Sequence, residues 1–279
     1  MGTPSADAVR RHPHLASGIP RGWVRVDCHV HTMWSGDATT TVDELADAVS
    51  DTGIDVICVT DHGTVRGALE IENLAVAGRF PCRVVVAEEV RTSQGELIGL
   101  FLSERLPPHQ AAGEIARAVR SQGGLVYVPH PFDPLRHCLA RSRIDELVGA
   151  GLVDGFEAVN AKTSLAHLNE QAAGFGRAHD LFLGAGSDAH VPAAVGAAYV
   201  EMPDFSGAAG FARSARCGRI VGHHSDPARP WAARIVPSLG GTAAPSSRAR
   251  ASGTGAGAVA GTDAPKPRPG EQGGPPHSR

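Results

Sequence analysis

The sequence lacks the features that mark secreted and membrane proteins. It has five cysteines, an odd number with no C-x-x-C pair, which argues against a disulfide scaffold or a zinc finger. It has no run of about 18 apolar residues that could span a bilayer, and its first residues include no apolar stretch typical of a signal peptide. We therefore expect a cytoplasmic protein with reduced thiols and no membrane partner.

Lysine is also scarce. Lys162 and Lys266 are the only lysines, so arginine carries most of the positive charge, and the formal net charge of the 279 residues is -3. A surface that coats a polyanion is therefore not indicated, and a nucleic acid would have to be held locally. No obligate protein partner is evident from the composition.

The hydrophobic residues, 42% of the chain, indicate a globular body between two polar ends. Residues 1–22 are polar and punctuated by proline and glycine, which predicts a flexible N-terminal arm. Residues 237–279 are rich in Gly, Pro and Ala, and they predict a disordered tail because they cannot bury enough apolar surface to offset chain entropy. Residues 23–236 remain as one domain.

Short apolar runs alternate with helical patterns through the body. The predicted strands are 24–30, 54–59, 83–89, 96–102, 125–128, 153–160, 181–186 and 197–202. The predicted helices are 41–51, 65–77, 111–121, 142–150, 165–179 and 205–216. Thr41 and Glu44 form a T-x-x-E capping box at the start of the first of these helices. The alternation predicts an α/β protein with a parallel sheet closed into a distorted, TIM-like (β/α)7 barrel, and an open doubly wound sheet is the alternative.

Polar residues occur where the predicted strands end. They are Asp27, His29, His31, Asp61, His62, Glu88, Glu89, His130, Asn160, Asp188 and His190. Because the carboxyl ends of parallel strands share one face of a barrel, these side chains are expected to converge there. Burying so many charges without a metal would leave several uncompensated. Other histidines, among them His12, His14 and His223, are expected to be ordinary surface or core residues.

The residue types favour a particular metal chemistry. His29 and His31 are two apart on a strand, so both imidazoles point to one side. Imidazole mixed with carboxylate suits Mn²⁺, Zn²⁺ or Fe, and is too nitrogen-rich for Mg²⁺ alone, although Mg²⁺ remains possible at one position. The number of candidate ligands exceeds the need of one tetrahedral ion, so we expect two or three divalent ions. Such ions acidify a bound water molecule.

The ordered set of motifs resembles the polymerase-and-histidinol-phosphatase (PHP) superfamily. The motifs are DCHVHT at 27–32, TDHGT at 60–64, Glu89, PHP at 129–131 and SDAH at 187–190. The resemblance covers residues 24–202 and implies a distorted seven-stranded barrel and metal-dependent phosphoester hydrolysis. The chain is too short for a replicative polymerase and looks more like the stand-alone phosphoesterases of the superfamily.

The resemblance also implies a ligand set. His29, His31, Glu89 and Asp188 would hold one ion. Glu89 would also bind a second ion together with His130. A third ion would be held by His62, His190 and an acidic residue. That acidic position is occupied by Gly36, which leaves Asp37 as the candidate. Residues 96–100 lack the histidine that many members have, so the second ion is expected to be short of a ligand unless Glu88 or Glu96 replaces it.

The leading functional hypothesis is hydrolysis of a phosphomonoester or terminal phosphodiester by a metal-bridging hydroxide. The substrate would be a nucleotide, a sugar phosphate or a short RNA or DNA end. Catalytic roles are expected for His62, His190 and Asp188. Asp27, Asp61 and Asn160 are expected to hydrogen-bond to the ligands and hold them in place. Arg66 and Lys162 are expected to contact the substrate phosphate. The alternatives are an amidohydrolase-like C–N hydrolase and a metal-binding module without catalysis.

Overall fold

One sheet of nine strands organises the part of the chain, residues 2–225, that the computed structural model describes. In chain order the strands are β1 (Trp23–Val30), β2 (Val56–Val59), β3 (Arg83–Thr92), β4 (Gly95–Leu100), β5 (Leu125–Val128), β6 (Gly155–Asn160), β7 (Phe182–Gly186), β8 (Ala198–Pro203) and β9 (Arg219–Gly222). Across the sheet their order is β7-β6-β5-β4-β3-β2-β1-β8-β9. The sequence predicted the first eight of these strands and missed β9.

Helices connect most of the strands. They are α1 (Ala6–Arg11), α2 (Val42–Thr52), α3 (Arg66–Val76), α4 (Ala112–Ser121), α5 (Arg141–Gly149), α6 (Ala166–Ala178) and α7 (Gly207–Arg216). The predicted capping box at the start of α2 is present: Glu44 N–H donates to Thr41 Oγ1, and the Glu44 carboxylate accepts from Thr41 N–H. Among the described residues, no helix is both long and apolar enough to cross a bilayer.

The sheet is nearly closed, as the prediction of a distorted barrel requires. Beyond the ends of β1 and β7, Val30 and Ala189 form a parallel bridge, and the His31 N–H donates to the Ala189 carbonyl at 3.0 Å. Strands β4, β8 and β9 depart from the parallel order that the alternation predicts, because their pairings are antiparallel. Strands β3 and β4 are joined by only two residues, a connection that parallel neighbours cannot make.

The N-terminal residues form structure instead of the flexible arm that the sequence predicted. Ser5 caps α1 by accepting from the Ala8 N–H at 3.1 Å, and a short 3-10 turn follows at Pro13–Ala16. Ala8, His12 and Leu15 are buried. The proline and glycine punctuation was misleading because a few apolar side chains suffice to hold a short segment against a larger core. The predicted tail at 237–279 and the end of the domain at 236 lie outside the described residues.

Strand β7 approaches β1 too closely for an ordinary side chain at one point. A Cβ on Gly186 would come within 2.2 Å of the His29 Cβ and 2.7 Å of a Glu157 carboxylate oxygen. The side chains of His29 on β1 and Glu157 on β6 therefore meet beside Gly186, which has no side chain to separate them. This contact brings the ends of β1, β6 and β7 together.

We predict that Gly186→Ala lowers the free energy of unfolding by about 1–3 kcal/mol, because the new methyl group must push β1 away from β7. The matched control is Gly149→Ala at the exposed end of α5, where nothing lies within 4 Å of the added Cβ. Urea unfolding of both variants measures the difference. Equal stability of the two variants would contradict the close approach.

Candidate metal centre

His29 and His31 point one ring nitrogen each at the same spot. Their Nε2 atoms lie 3.0 Å apart. The other nitrogen of each ring is already engaged, His29 Nδ1 with Glu157 Oε1 at 3.0 Å and His31 Nδ1 with Ser35 Oγ at 2.9 Å. These bonds fix the orientation of both rings, as the outer partners of metal-ligating histidines do. The two Nε2 atoms are therefore available as ligands to one ion.

Two buried carboxylates complete this group. Glu89 Oε2 lies 3.2 Å from His29 Nε2 and 3.3 Å from His31 Nε2. Asp188 Oδ1 lies 3.4 Å from His31 Nε2 and 3.8 Å from His29 Nε2. Both carboxylates are therefore within reach of an ion held between the two imidazoles, at metal–ligand bonds of about 2.0–2.2 Å. The four side chains come from β1, β3 and the loop after β7, as the sequence predicted.

The second oxygen of Glu89 faces a different histidine. Glu89 Oε1 lies 2.9 Å from His130 Nε2, and Glu96 Oε2 lies 3.9 Å from the same nitrogen. Glu96 is only 3% exposed, on β4 beside β3. Glu88 faces away and accepts from the Leu106 N–H at 2.8 Å. Glu96 therefore lies where the sequence lacks the expected histidine, and Glu89, not Glu88, belongs to the cluster.

A third group of candidate ligands lies next to the first and shares His31 with it. His31, Asp37, His62 and His190 offer ligand atoms that all lie within 4.8 Å of one another. Asp37 Oδ2 is 3.1 Å from His190 Nε2 and 3.7 Å from His62 Nε2. The one-residue shift from Gly36 to Asp37 thus still brings a carboxylate to this position. The structure places all eight residues predicted as ligands in one continuous cluster.

Two of these residues have strained backbones. His130 has a φ of 28° and Asp188 a φ of 50°, in the region that residues with side chains rarely adopt. Each is held by its neighbours: the His130 N–H donates to Glu157 Oε2, and the Asp188 N–H donates to the His29 carbonyl at 2.8 Å. Strain of this kind persists where the surroundings over-determine the conformation, which is common at functional sites.

The three residues predicted to support the ligands each bond to an adjacent segment. Asp27 accepts from the Ser187 N–H at 2.9 Å, and Asp61 accepts from both the N–H and the hydroxyl of Thr32 at 2.6 Å. Asn160 Nδ2 donates to Asp188 Oδ2 at 3.1 Å. Because Ser187 precedes Asp188 and Thr32 follows His31, these bonds fix the backbone that carries the ligands.

Sequence reasoning missed Glu157 and Arg136. Glu157 is fully buried in β6, where it accepts from His29, His130 and Asn160, and Arg136 donates to Asp188 Oδ2. Glu157 could have been noticed in the sequence because it is a charged residue within the apolar run of β6. Nothing in the sequence pattern singles out Arg136, which lies on an irregular loop.

The two predicted phosphate contacts have different outcomes. Lys162 is at the site, with its Nζ 3.2 Å from His190 Nδ1 and 3.7 Å from Asp188 Oδ1. Arg66 is not: it is exposed at the start of α3 and lines neither cavity beside the cluster. Arg91 and Arg136 line those cavities instead. Of the two predicted residues, only Lys162 therefore borders a cavity at the cluster.

The electrostatics of the cluster favour bound cations. Burial alone would lower the pKa of His29, but the charges of Asp188, Glu157 and Glu89 raise it well above its ordinary value. Burial lowers the pKa of His62 and of His190 to about 4, so both rings are neutral. Although burial opposes it, Arg136 and Lys162 hold the pKa of Asp188 well below its usual range. Ionised carboxylates beside neutral imidazoles form the donor set that divalent metal ions require, and protons on His29 would be displaced by metal.

Two cavities open beside the cluster. One of about 500 Å³ is lined by polar residues that include Arg136 and Lys162, and one of about 340 Å³ includes Arg105. His62 and Asp37 line both. A larger cavity of about 680 Å³ lies where β1, β2 and β3 begin, at the opposite end of the strands from the cluster. The cavities at the cluster are therefore the ones through which a substrate would reach the candidate ligands.

The sequence is similar to that of known proteins. Residues 27–127 match the family model of the PHP domain, and residues 166–220 match the model described as PHP-associated. An uncharacterized protein of Methanocaldococcus jannaschii is 34% identical over 148 residues, which cover 50% of this chain and 82% of the relative. A second uncharacterized protein of the same organism is 31% identical over 185 residues, 66% of this chain and 72% of the relative.

Solved structures show the same fold at lower identity. A two-domain protein of Bacteroides vulgatus, described as containing a predicted PHP-like metal-dependent phosphoesterase, has a TM-score of 0.58 at 17% identity over 74% of this chain and 68% of its own. PsfC from Pseudomonas syringae has a TM-score of 0.55 at 18% identity over 72% of this chain and 92% of its own. At this identity the likeness concerns the fold alone.

We predict that Glu157→Gln weakens metal binding by about 10–100-fold, the range measured when the outer partner of a ligating histidine is lost. The amide can no longer accept from His29, His130 and Asn160 together. The control is Glu88→Gln, which alters a buried carboxylate that faces away and leaves an oxygen to accept from Leu106. Isothermal titration of the metal-stripped variants with Mn²⁺ and Zn²⁺ measures and compares their metal affinities. An equal loss in both variants would rule out a specific role for Glu157.

Proposed function

Because the chain belongs to the PHP domain family, we propose that it is a metal-dependent phosphoesterase that hydrolyses a phosphomonoester or a terminal phosphodiester. The proposed substrate is a nucleotide, a sugar phosphate or a short RNA or DNA end. The observation that supports this best is the arrangement of Glu89, which presents one oxygen to His29 at 3.2 Å and the other to His130 at 2.9 Å. A carboxylate so placed bridges two cations, and paired cations are the usual device for phosphoester hydrolysis.

The proposed ligands fall into three groups around Glu89. The first is His29, His31, Glu89 and Asp188; the second is Glu89, Glu96 and His130; the third is Asp37, His62 and His190. Mixed imidazole and carboxylate donors suit Mn²⁺, Zn²⁺ or Fe²⁺. When bound, such ions supply positive charge for the phosphoryl oxygens and lower the pKa of a water molecule.

The side chains beside these groups have separate roles in the proposal. Arg136 and Lys162 flank Asp188 and line the larger of the two cavities, which suits them to an anionic phosphoryl group. His190 is buried against Asp37 and Lys162, so it acts as a ligand. The side chain of His62 is 29% exposed and borders both cavities, so it would hold or transfer a proton at the leaving oxygen only when it does not bind the third ion.

We predict that chelation abolishes hydrolysis of p-nitrophenyl phosphate or a nucleotide and that Mn²⁺ or Zn²⁺ restores it. His29→Ala and Asp188→Ala should each lower kcat/KM at least ~100-fold, because each removes a ligand that no neighbour replaces. His167→Ala, at an exposed position on α6, is the control and should leave turnover unchanged. Full activity in chelated protein, or activity on amides but not on phosphate esters, would refute the proposal.

We predict that Glu96→Ala weakens the binding of one metal ion at least tenfold while the remaining ions stay bound, because His130 then shares its ion with Glu89 alone. Glu96→His should restore that ion by supplying an imidazole from the same position. Glu104→Ala, at an exposed site just beyond β4, is the control. Metal analysis after dialysis gives the number of ions retained. Unchanged retention in Glu96→Ala would remove Glu96 from the ligand set.

A further inference from the structure

Three histidines that line neither cavity at the cluster contact one another, and the proposed hydrolysis does not use them. His12 and His14 come from the N-terminal segment, and His223 follows β9. His12 Nδ1 lies 3.4 Å from His223 Nε2, and His14 Nδ1 lies 3.2 Å from His223 Nδ1. No sequence pattern groups them, because more than 200 positions separate the first two from the third.

Backbone carbonyls fix the proton positions of two of the rings. His12 Nε2 lies 3.1 Å from the Ala193 carbonyl, and His14 Nε2 lies 3.0 Å from the Gly196 carbonyl. A carbonyl only accepts, so both Nε2 atoms carry the hydrogen. In the neutral rings Nδ1 is then a bare lone pair, and both Nδ1 atoms face His223.

A neutral His223 cannot satisfy both neighbours. It has one N–H, which it donates to either His12 or His14, and the other contact is then between two lone pairs at hydrogen-bond distance. His12 is 1% exposed, whereas His14 and His223 are partly exposed. The arrangement that keeps the buried contact satisfied is a bond from His223 Nε2–H to His12 Nδ1. It leaves His14 Nδ1 and His223 Nδ1 as the bare pair, on the side that water reaches.

We propose that His14 Nδ1 and His223 Nδ1 bind a divalent cation of the Zn²⁺ or Cu²⁺ class, at a site separate from the catalytic centre. Their separation of 3.2 Å matches one ion with bonds of about 2.0–2.1 Å and an angle of about 100° between them, close to tetrahedral. Water completes the coordination. His12 orients His223 through the hydrogen bond, as outer partners of ligating histidines do.

The character of the donors decides which cation fits. Two neutral imidazoles without a carboxylate favour Zn²⁺, Cu²⁺ or Ni²⁺ over Mn²⁺ or Mg²⁺. A proton is the other cation that could relieve the contact, by making His223 an imidazolium that donates to both neighbours. Burial opposes this: it lowers the pKa of His12 to about 4 and lowers the pKa of His14 and of His223 below the ordinary value.

The site joins three segments that lie apart in the chain. They are the N-terminal segment, the end of β9 and the loop that follows His190. That loop contains Ala193 and Gly196, and the Gly196 N–H also donates to Asp27 Oδ2 at 3.3 Å. An ion here therefore holds the N-terminal segment against the body. Its expected effect is a rise in melting temperature with Zn²⁺.

The test compares zinc content and melting temperature of four stripped and reloaded proteins: the unaltered chain, His14→Gln, His223→Gln and the control His167→Gln. The proposed catalytic centre also binds zinc, so the informative quantity is the difference in zinc content between each variant and the control His167→Gln. We expect the first two variants to bind one ion fewer than the control and to lose part of the zinc-induced rise in melting temperature. Equal zinc content in all four proteins would overturn the proposal.

A measurement on the unaltered chain covers the case in which a variant fails to fold. Diethyl pyrocarbonate modifies imidazole nitrogens that are bare and accessible, and mass spectrometry locates the modified peptides. Zn²⁺ should protect His14 and His223 while the exposed His167 reacts equally with and without it. Unprotected His14 and His223, with a melting temperature that rises between pH 8 and pH 6 without zinc, would show that a proton on His223 holds the cluster together instead.

Discussion

Four buried carboxylates within one group of histidines impose the constraint on which the rest of this structure depends. Glu89, Glu157 and Asp188 are fully buried, and Glu96 is nearly so. Negative charge at this density is costly away from water unless cations or strong hydrogen bonds compensate it. Arg136, Lys162 and protons on the histidines compensate part of it, and divalent ions replace those protons when they bind. The strained backbones of His130 and Asp188 are tolerated because the same bonds that orient the ligands also hold them.

The barrel supplies the convergence that this chemistry needs. The ends of β1, β2, β3, β5 and β7 face the same way, so ligands from distant parts of the chain meet without long side chains. One strand that breaks the parallel pattern near the cluster also contributes. Because β4 runs antiparallel between β3 and β5, it brings Glu96 to Glu89 and His130. Glycine at 186 lets β7 close onto β1, and this places Asp188 beside His29.

Much of the site could be predicted from sequence because strand ends are recognisable. His29, His31 and Glu89 each follow an apolar run, and parallel order then determines which face they share. What could not be predicted depends on tertiary geometry. The choice of Glu96 over Glu88 follows from the hairpin between β3 and β4, and the contact between Arg136 and Asp188 follows from the course of a loop. The packing of His12 and Leu15 depends on a core that the N-terminal residues do not themselves reveal.

In the proposed centre, Glu89 would bridge two ions, one at His29 and one at His130. Anomalous diffraction from crystals of the protein reloaded with Mn²⁺, or with Zn²⁺, locates bound ions directly. We expect one peak surrounded by His29, His31 and Asp188 and another beside His130 and Glu96, each within about 2.0–2.3 Å of a different oxygen of Glu89. A single peak, or two peaks neither of which contacts Glu89, would contradict it.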